Sequence, residues 1–213
     1  MHIEAGSLLR PLSKAVLCAA LLSSLAGCVA VVAGAAVSGA VATADRRTLG
    51  AQTEDKAIAV KAETSMGNIT GDLGHVNVNS YNRKVLLTGE VRDEAMKRAI
   101  ENHVRGVANV ENVINELEIA GPSSYTSRSS DALITSKVKL SLADKKTVSA
   151  TSFQVVTESG TVYLMGLVTQ REGNIAADVA KGVSGVMRVT KMFEYISEED
   201  LRAMQPQQAQ QAQ

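Results

Sequence analysis

The chain has 213 residues, 45% of them apolar, with 22 basic against 22 acidic side chains, which allows one or two small globular domains. The balanced charge argues against a polyanionic partner for the molecule as a whole, so no nucleic acid is expected. Its two cysteines, Cys18 and Cys28, both lie in an N-terminal apolar run, which leaves no disulfide framework for anything downstream.

From Ala15 to Ala44 no residue is charged, with Arg10 and Lys14 before the run and Asp45, Arg46 and Arg47 after it. The run exceeds the roughly 20 residues that cross a bilayer, so an uncleaved membrane helix is one reading. The leucines cluster in AVLCAALLSSLAGC, however, while residues 29 to 44 are mostly Ala, Gly and Val. That is the layout of a signal-peptide apolar region ending in small residues. Leu25-Ala26-Gly27-Cys28 resembles a bacterial lipobox, which implies cleavage before Cys28 and acylation of that residue. The expected division is a signal peptide over 1–27, then an acylated Cys28 and flexible linker over 28–54. Val29 rather than Asp after the cysteine implies delivery to the outer membrane of a Gram-negative cell, lipid-anchored on its periplasmic side. At about 0.8 kcal/mol per buried methylene, several acyl chains make such an anchor effectively permanent.

Past this segment the sequence repeats itself. Asp55, Ile58 and Met66 match Asp131, Ile134 and Leu142 at an offset of 76, VLLTGEV at 85 matches VYLMGLV at 162 at 77, and GVANVENV at 106 matches GVSGVMRV at 182 at 76. Each copy reads as helix, strand pair, helix, strand. In the first, VNVNS and KVLLTGEV alternate with a period of two around Tyr81, Asn82 and Arg83; in the second, FQVVTE and TVYLMGLV flank the two-residue turn signal Ser159-Gly160. Gly89 and Gly166 in the second strands are read as points where a helix comes close to the sheet. Thr169-Gln-Arg-Glu172 has the spacing of a capping box. The last strands carry Val113, Leu117 and Ile119, or Val189, Phe193 and Tyr195, at even spacing. The expected domains are 55–120 and 131–196, joined by a linker over 121–130. Each is about 65 residues, near the lower limit for a self-sufficient core, so packing the two together would help both. The glutamine-rich end, 197–213, is expected to be disordered.

The αββαβ order, Gly89-Glu90-Val91 and Gly166-Leu167-Val168 closing the second strands, and the G-V-x-x-V segments at Gly106 and Gly182 resemble the BON domain family. The implied fold is α+β: two tandem BON domains, each a small three-stranded mixed sheet packed on two helices. Two such domains behind a lipobox resemble the dual-BON outer-membrane lipoproteins. That resemblance implies binding of anionic phospholipid, of the phosphatidylglycerol or cardiolipin type, through the first helix of the second domain. It also implies a role in outer-membrane integrity and at division sites.

The first helix of the second copy, DALITSKVKLSL from Asp131 to Leu142, bears on that expectation. At about 100° per residue, Ile134, Val138 and Leu142 share one narrow arc, with Ser141 beside it, which serves as the buried stripe. Leu133 and Leu140 fall opposite, with Ser136 and Lys137 to either side. The first copy has Ala57 and Thr64 at the equivalent positions. A requirement of the fold would apply to both copies. Lys137, Lys139, Lys145 and Lys146 stand against Asp131 and Asp144, a locally positive balance. The expected lipid-contacting residues are Leu133, Ser136, Lys137, Lys139, Leu140 and Lys145, with Cys28 as the attachment site. Two alternatives remain open at this point: the leucines pack on the first domain or near Tyr125, or they meet outer-membrane assembly proteins, making the chain an interaction scaffold for envelope assembly machinery.

No catalytic constellation is visible. His75 and His103 have no cysteine at metal-ligand spacing, no glycine-rich phosphate loop precedes a helix, and Glu94, Glu101, Glu111, Glu116 and Glu118 read as solvated faces. Neither an enzyme nor a cofactor or metal site is expected.

Overall fold

A computed structural model describes residues 45–211. The expected signal peptide, Cys28 and most of the 28–54 linker lie outside the described residues.

The first repeat runs α1 (Leu49–Thr70), a single 3-10 turn, β1 (His75–Tyr81), β2 (Lys84–Val91), α2 (Glu94–Arg105), β3 (Asn112–Asn115) and β4 (Glu118–Ile119). The second runs α3 (Tyr125–Asp144), a 3-10 turn, β5 (Phe153–Glu158), β6 (Thr161–Val168), α4 (Gln170–Lys181) and β7 (Arg188–Tyr195), followed by α5 (Glu198–Gln211). In each sheet the hairpin is antiparallel and the central strand pairs in parallel with the last one. The last strand is continuous in the second repeat. In the first it breaks into β3 and β4, both parallel to β2, where Leu117 turns inward to become buried.

Both hairpins close on two residues with positive φ: Asn82 at 49° and Arg83 at 63°, Ser159 at 47° and Gly160 at 71°. Such turns match the twist of the flanking strands, but a non-glycine residue there is strained. Tyr81, expected in the loop, is the last residue of β1. The repeated aspartates hold these turns. Asp55 accepts from the Asn82 and Arg83 amides at 2.7 and 2.8 Å and from the Ser80 hydroxyl at 2.8 Å. Asp131 accepts from the Ser159 and Gly160 amides at 3.0 and 2.9 Å. Each buried carboxylate therefore fastens the first helix of its domain to the tip of its hairpin.

One face of each sheet carries its own helices. Ile58, Met66, Leu87 and Ile100 lie in one core, and Ile134, Val138, Leu164 and Ala176 in the other. The strand alternation expected for KVLLTGEV does not persist: nearly every residue of β2 is buried, as is nearly every residue of β6. The reason is that the second faces of the two sheets meet. Tyr81, Leu86, Tyr163 and Met165 form a third buried cluster, edged by Ile114, Val156, Leu167 and Met192. The layers run helices, sheet, sheet, helices. Across the seam, the Leu167 amide donates to the Tyr81 hydroxyl at 3.0 Å, Asn82 donates to Glu194 at 2.7 Å, and Lys84 pairs with Glu194 at 3.0 Å.

Several expected boundaries move. The 28–54 linker ends early: Thr48 caps α1, Arg47 pairs with Asp55 at 2.7 Å, and Arg46 makes a two-pronged bond to Glu172 of α4 at 2.7 and 2.8 Å. Burial opposes ionisation of Glu172, but Arg46 and the Thr169 amide outweigh it and hold that carboxyl below its ordinary range. The 121–130 linker is mostly helix, because Ser124 accepts from the Ser127 amide and starts α3 at Tyr125. The tail expected to lack structure is helical over Glu198–Gln211. Composition hid its start signal: Ser197 and Asp200 bond reciprocally, Glu198, Glu199 and Asp200 complement the helix dipole, and Leu201 is buried. At Gly89 and Gly166 the close neighbour is backbone, not a helix: a Cβ would collide with the His75 carbonyl at the first and meet the Ser152 carbonyl at 2.5 Å at the second.

Two stability predictions follow from the buried carboxylates. Asp131→Ala leaves two turn amides without their acceptor and should lower the unfolding free energy by about 2–4 kcal/mol, read from urea titrations. Glu158 lies at the seam, where Asn77 donates to it at 2.8 Å; burial pushes its carboxyl up from the ordinary value of 4.5, and the charge of Glu90 adds to this. With the folded pKa above the unfolded one, stability should rise as pH falls through the raised value and level off below 4.5. Glu158→Gln should flatten that rise and raise the melting temperature at pH 7; an unchanged profile would remove Glu158 as its source.

Candidate membrane-facing helix

Helix α3 lies on the outer face of the second sheet. Its stripe of Ile134, Val138 and Leu142 is buried, and the Thr135 hydroxyl ties one flank to Thr157 of β5 at 2.7 Å. The opposite strip is open to solvent: Leu133 is 62% exposed and Leu140 is 67% exposed. Tyr125, on the first turn of the same helix, is 84% exposed and stacks only loosely with Arg128 at 5.0 Å. Neither packing on the first domain nor packing on the segment around Tyr125 covers the two leucines.

Leu133, Ser136, Lys137 and Leu140 lie at spacings of three, four and seven residues, so α3 gathers them on one strip. The Ser136 hydroxyl is engaged by its own helix, donating to the Ala132 carbonyl at 2.9 Å. Lys139, one residue from Leu140 and so about 100° round the helix, stands apart from the strip. Lys145 caps the C-terminal end in an extended conformation. Lys137, Lys139, Lys145 and Lys146 are all exposed, and none of their ammonium groups has an ion-pair or hydrogen-bond partner among the described residues. Asp131, counted as an opposing charge in the sequence, is buried on the turn amides. Four solvent-facing lysines thus meet one solvent-facing carboxylate on this stretch, Asp144.

Sequence reasoning missed two features of the site. One is Tyr125, which falls in the linker expected over 121–130; Ser124 followed by a polar helical run is the signal the sequence offers for it. The other is a groove of about 810 Å³ between α3 and α4, with Lys137, Ser141 and Lys145 on its rim and Ile175, Val179 and Val183 on its floor. Its existence depends on how closely two helices distant in sequence approach each other, and no local pattern encodes that. Among the described residues there is no group of acidic, histidine or cysteine side chains able to hold a metal ion, and no helix long and apolar enough to cross a membrane.

The described residues form tandem αββαβ units, the second of which carries an exposed strip of leucines on its first helix. The chain belongs to the BON domain family, whose model matches residues 54–121 and 130–197. It is similar to the outer membrane lipoprotein DolP of Haemophilus influenzae, with 38% identity over 192 residues, 88% of this chain and 98% of that protein. It is also similar to a 21 kDa hemolysin of Actinobacillus pleuropneumoniae, with 31% identity over 157 residues, 71% of this chain and 79% of that one. A solved structure of CdsD, a structural protein of the type III secretion system of Chlamydia trachomatis, aligns at a TM-score of 0.29 and 10% identity over 68% of this chain and 97% of that one, a likeness too weak to carry an argument. With these relatives, the chain is a lipid-anchored protein of the Gram-negative outer membrane.

Because Leu133 and Leu140 touch solvent rather than core, Leu133→Ser and Leu140→Ser should each change the unfolding free energy by no more than about 0.5 kcal/mol. A loss of several kcal/mol in urea titrations would mean that the strip packs on protein.

Proposed function

We propose that the protein, acylated at Cys28 and facing the periplasm, applies the exposed strip of α3 to anionic phospholipid of the membrane that anchors it. It acts by binding and local organisation rather than turnover, in support of outer-membrane integrity and at division sites. The observation that carries this reading is the difference between copies: α3 exposes Leu133 and Leu140, whereas α1 has Ala57 and Thr64 there, with the Thr64 hydroxyl bonded back to the Val60 carbonyl at 2.7 Å.

The energetics suit a tethered contact. A leucine contributes at most roughly 1.5–3 kcal/mol when fully buried and less at an interface, and a basic residue near an anionic surface about 1 kcal/mol. The sum gives modest affinity, which the anchor raises by keeping the helix at high effective concentration beside lipid. The same strip would suit a protein of the envelope assembly machinery, and that alternative makes a different prediction.

The chain from Val29 to Gln213 should bind phosphatidylglycerol vesicles in co-sedimentation, more weakly as salt rises, and phosphatidylcholine vesicles poorly. Leu133→Glu should reduce the phosphatidylglycerol binding at least tenfold with an unchanged circular dichroism spectrum. Equal binding by wild type and variant would remove lipid as the partner of the strip and leave the scaffold reading.

A further inference from the structure

The groove between α3 and α4 differs between the two copies as the leucine strip does. The second helices of the repeats align without gaps, since their N-caps Asp93 and Thr169 and their C-caps Gly106 and Gly182 are each 76 residues apart. Core positions obey that register: Ile100 and Ala176 are both fully buried, as are Val104 and Ala180. At the same offset the groove-floor residues Ile175 and Val179 correspond to Ala99 and His103, and Lys145 corresponds to Ile69. Val183 has its counterpart in Val107, so two of the three floor residues and the second rim lysine are properties of the second copy alone. They sit on the flank of α3 next to its leucine strip, with Lys137 between the two.

The floor of Ile175, Val179 and Val183 is half-buried against the domain core, so it presents apolar surface at the base of a polar rim. On that rim the Lys137 and Lys145 ammonium groups have no partners among the described residues, and the Ser141, Thr147 and Ser184 side chains supply hydroxyls. Asp144 and Asp178 also line it, Asp178 lying 3.5 Å from Lys181. The rim is close to balanced in charge, so a bare phosphate ion gains little there; a ligand must also cover the floor. At about 810 Å³ the groove is of the size that holds a small ligand.

We propose that this groove binds a single glycerophospholipid molecule, its phosphate between Lys137 and Lys145 and the upper part of an acyl chain along Ile175, Val179 and Val183. This rests on the reading of α3 as the lipid-contacting helix and adds a saturable, one-to-one site to a surface contact. Leu133 and Leu140 bring the helix to the leaflet, and the groove then grips one lipid of that leaflet.

The test is an NMR titration of the chain from Val29 to Gln213, which keeps every described element, with dihexanoyl-phosphatidylglycerol below its micelle-forming concentration. Glycerol 3-phosphate and inorganic phosphate are titrated in parallel. Saturable shifts are expected at the Ile175, Val179 and Val183 methyls and the Lys137 and Lys145 amides with the lipid, and no shift of those methyls with either phosphate. Ile175→Ala with Val179→His, the residues the first copy carries in its own folded domain, should weaken monomer binding at least tenfold. Lys145→Ile, again the first copy's residue and at an exposed site that does not threaten folding, should weaken it several-fold. Absence of methyl shifts, equal shifts with glycerol 3-phosphate, or unchanged affinity in both variants would overturn the proposal. Phosphatidylglycerol vesicle binding by the same wild-type protein separates the two readings: vesicle binding without monomer binding rejects the groove alone, and loss of both rejects α3 as the lipid-contacting helix.

Discussion

The face-to-face contact of the two sheets is the constraint on which the rest of the molecule depends. A three-stranded sheet with two helices covers only one of its faces, and a unit of about 65 residues has little core to spare. Tyr81 and Leu86 on one side and Tyr163 and Met165 on the other seal the remaining faces against each other. With both sheets so occupied, the helices are on the outside, and α3 turns its second apolar ridge to solvent. The start of the described chain braces this arrangement. Arg46 bonds to Glu172 and the Leu167 carbonyl in the second domain, while Arg47 bonds to Asp55 and stacks over Tyr81 in the first. The guanidinium of Arg46 and the carboxylate of Glu172 are almost wholly buried, where removing either partner strands the other without water.

The two copies have diverged unevenly, and the pattern follows the layers. Positions that hold the fold are kept: Asp55 and Asp131 on the hairpin turns, Ile58 and Ile134 in the helix stripe, and the positive-φ turn pairs. On the outer faces the copies differ: the second has Leu133 and Leu140 where the first has Ala57 and Thr64, and Ile175 and Val179 where it has Ala99 and His103. The first, in turn, has Val60 and Ile69 where the second has Ser136 and Lys145. Exposed apolar surface is tolerated when something covers it. For a lipid-anchored protein the proposed partner, phospholipid, is continuously at hand, and a contact of modest strength would be enough to cover that face.

Much of the fold was legible in the residues because it rests on local rules. The 76-residue offset, the hairpin at Ser159-Gly160, the Thr169 to Glu172 capping box and the stripe of Ile134, Val138 and Leu142 all reappear in the structure. The misreadings arose where a local pattern has more than one physical cause. Asp131 resembled a solvated charge at a helix start until the turn amides it serves were brought beside it. KVLLTGEV reads as a half-exposed strand unless a second sheet is known to cover its other face. The glutamine-rich end concealed the cap formed by Ser197 and Asp200.

What the sequence by itself determined is the repeat, the order and type of its elements, and the difference between Leu133 and Leu140 and their counterparts Ala57 and Thr64. Periodicity, turn chemistry and capping act over a few residues and leave their mark in the chain directly. Only the tertiary structure decided that those leucines stay in water, that Asp131 is unavailable as a counter-charge, and that α3 and α4 enclose a lysine-rimmed groove. Each of these depends on which surfaces remain after two sheets have covered one another, and burial between segments far apart in the chain is a property of the assembled layers rather than of any one stretch.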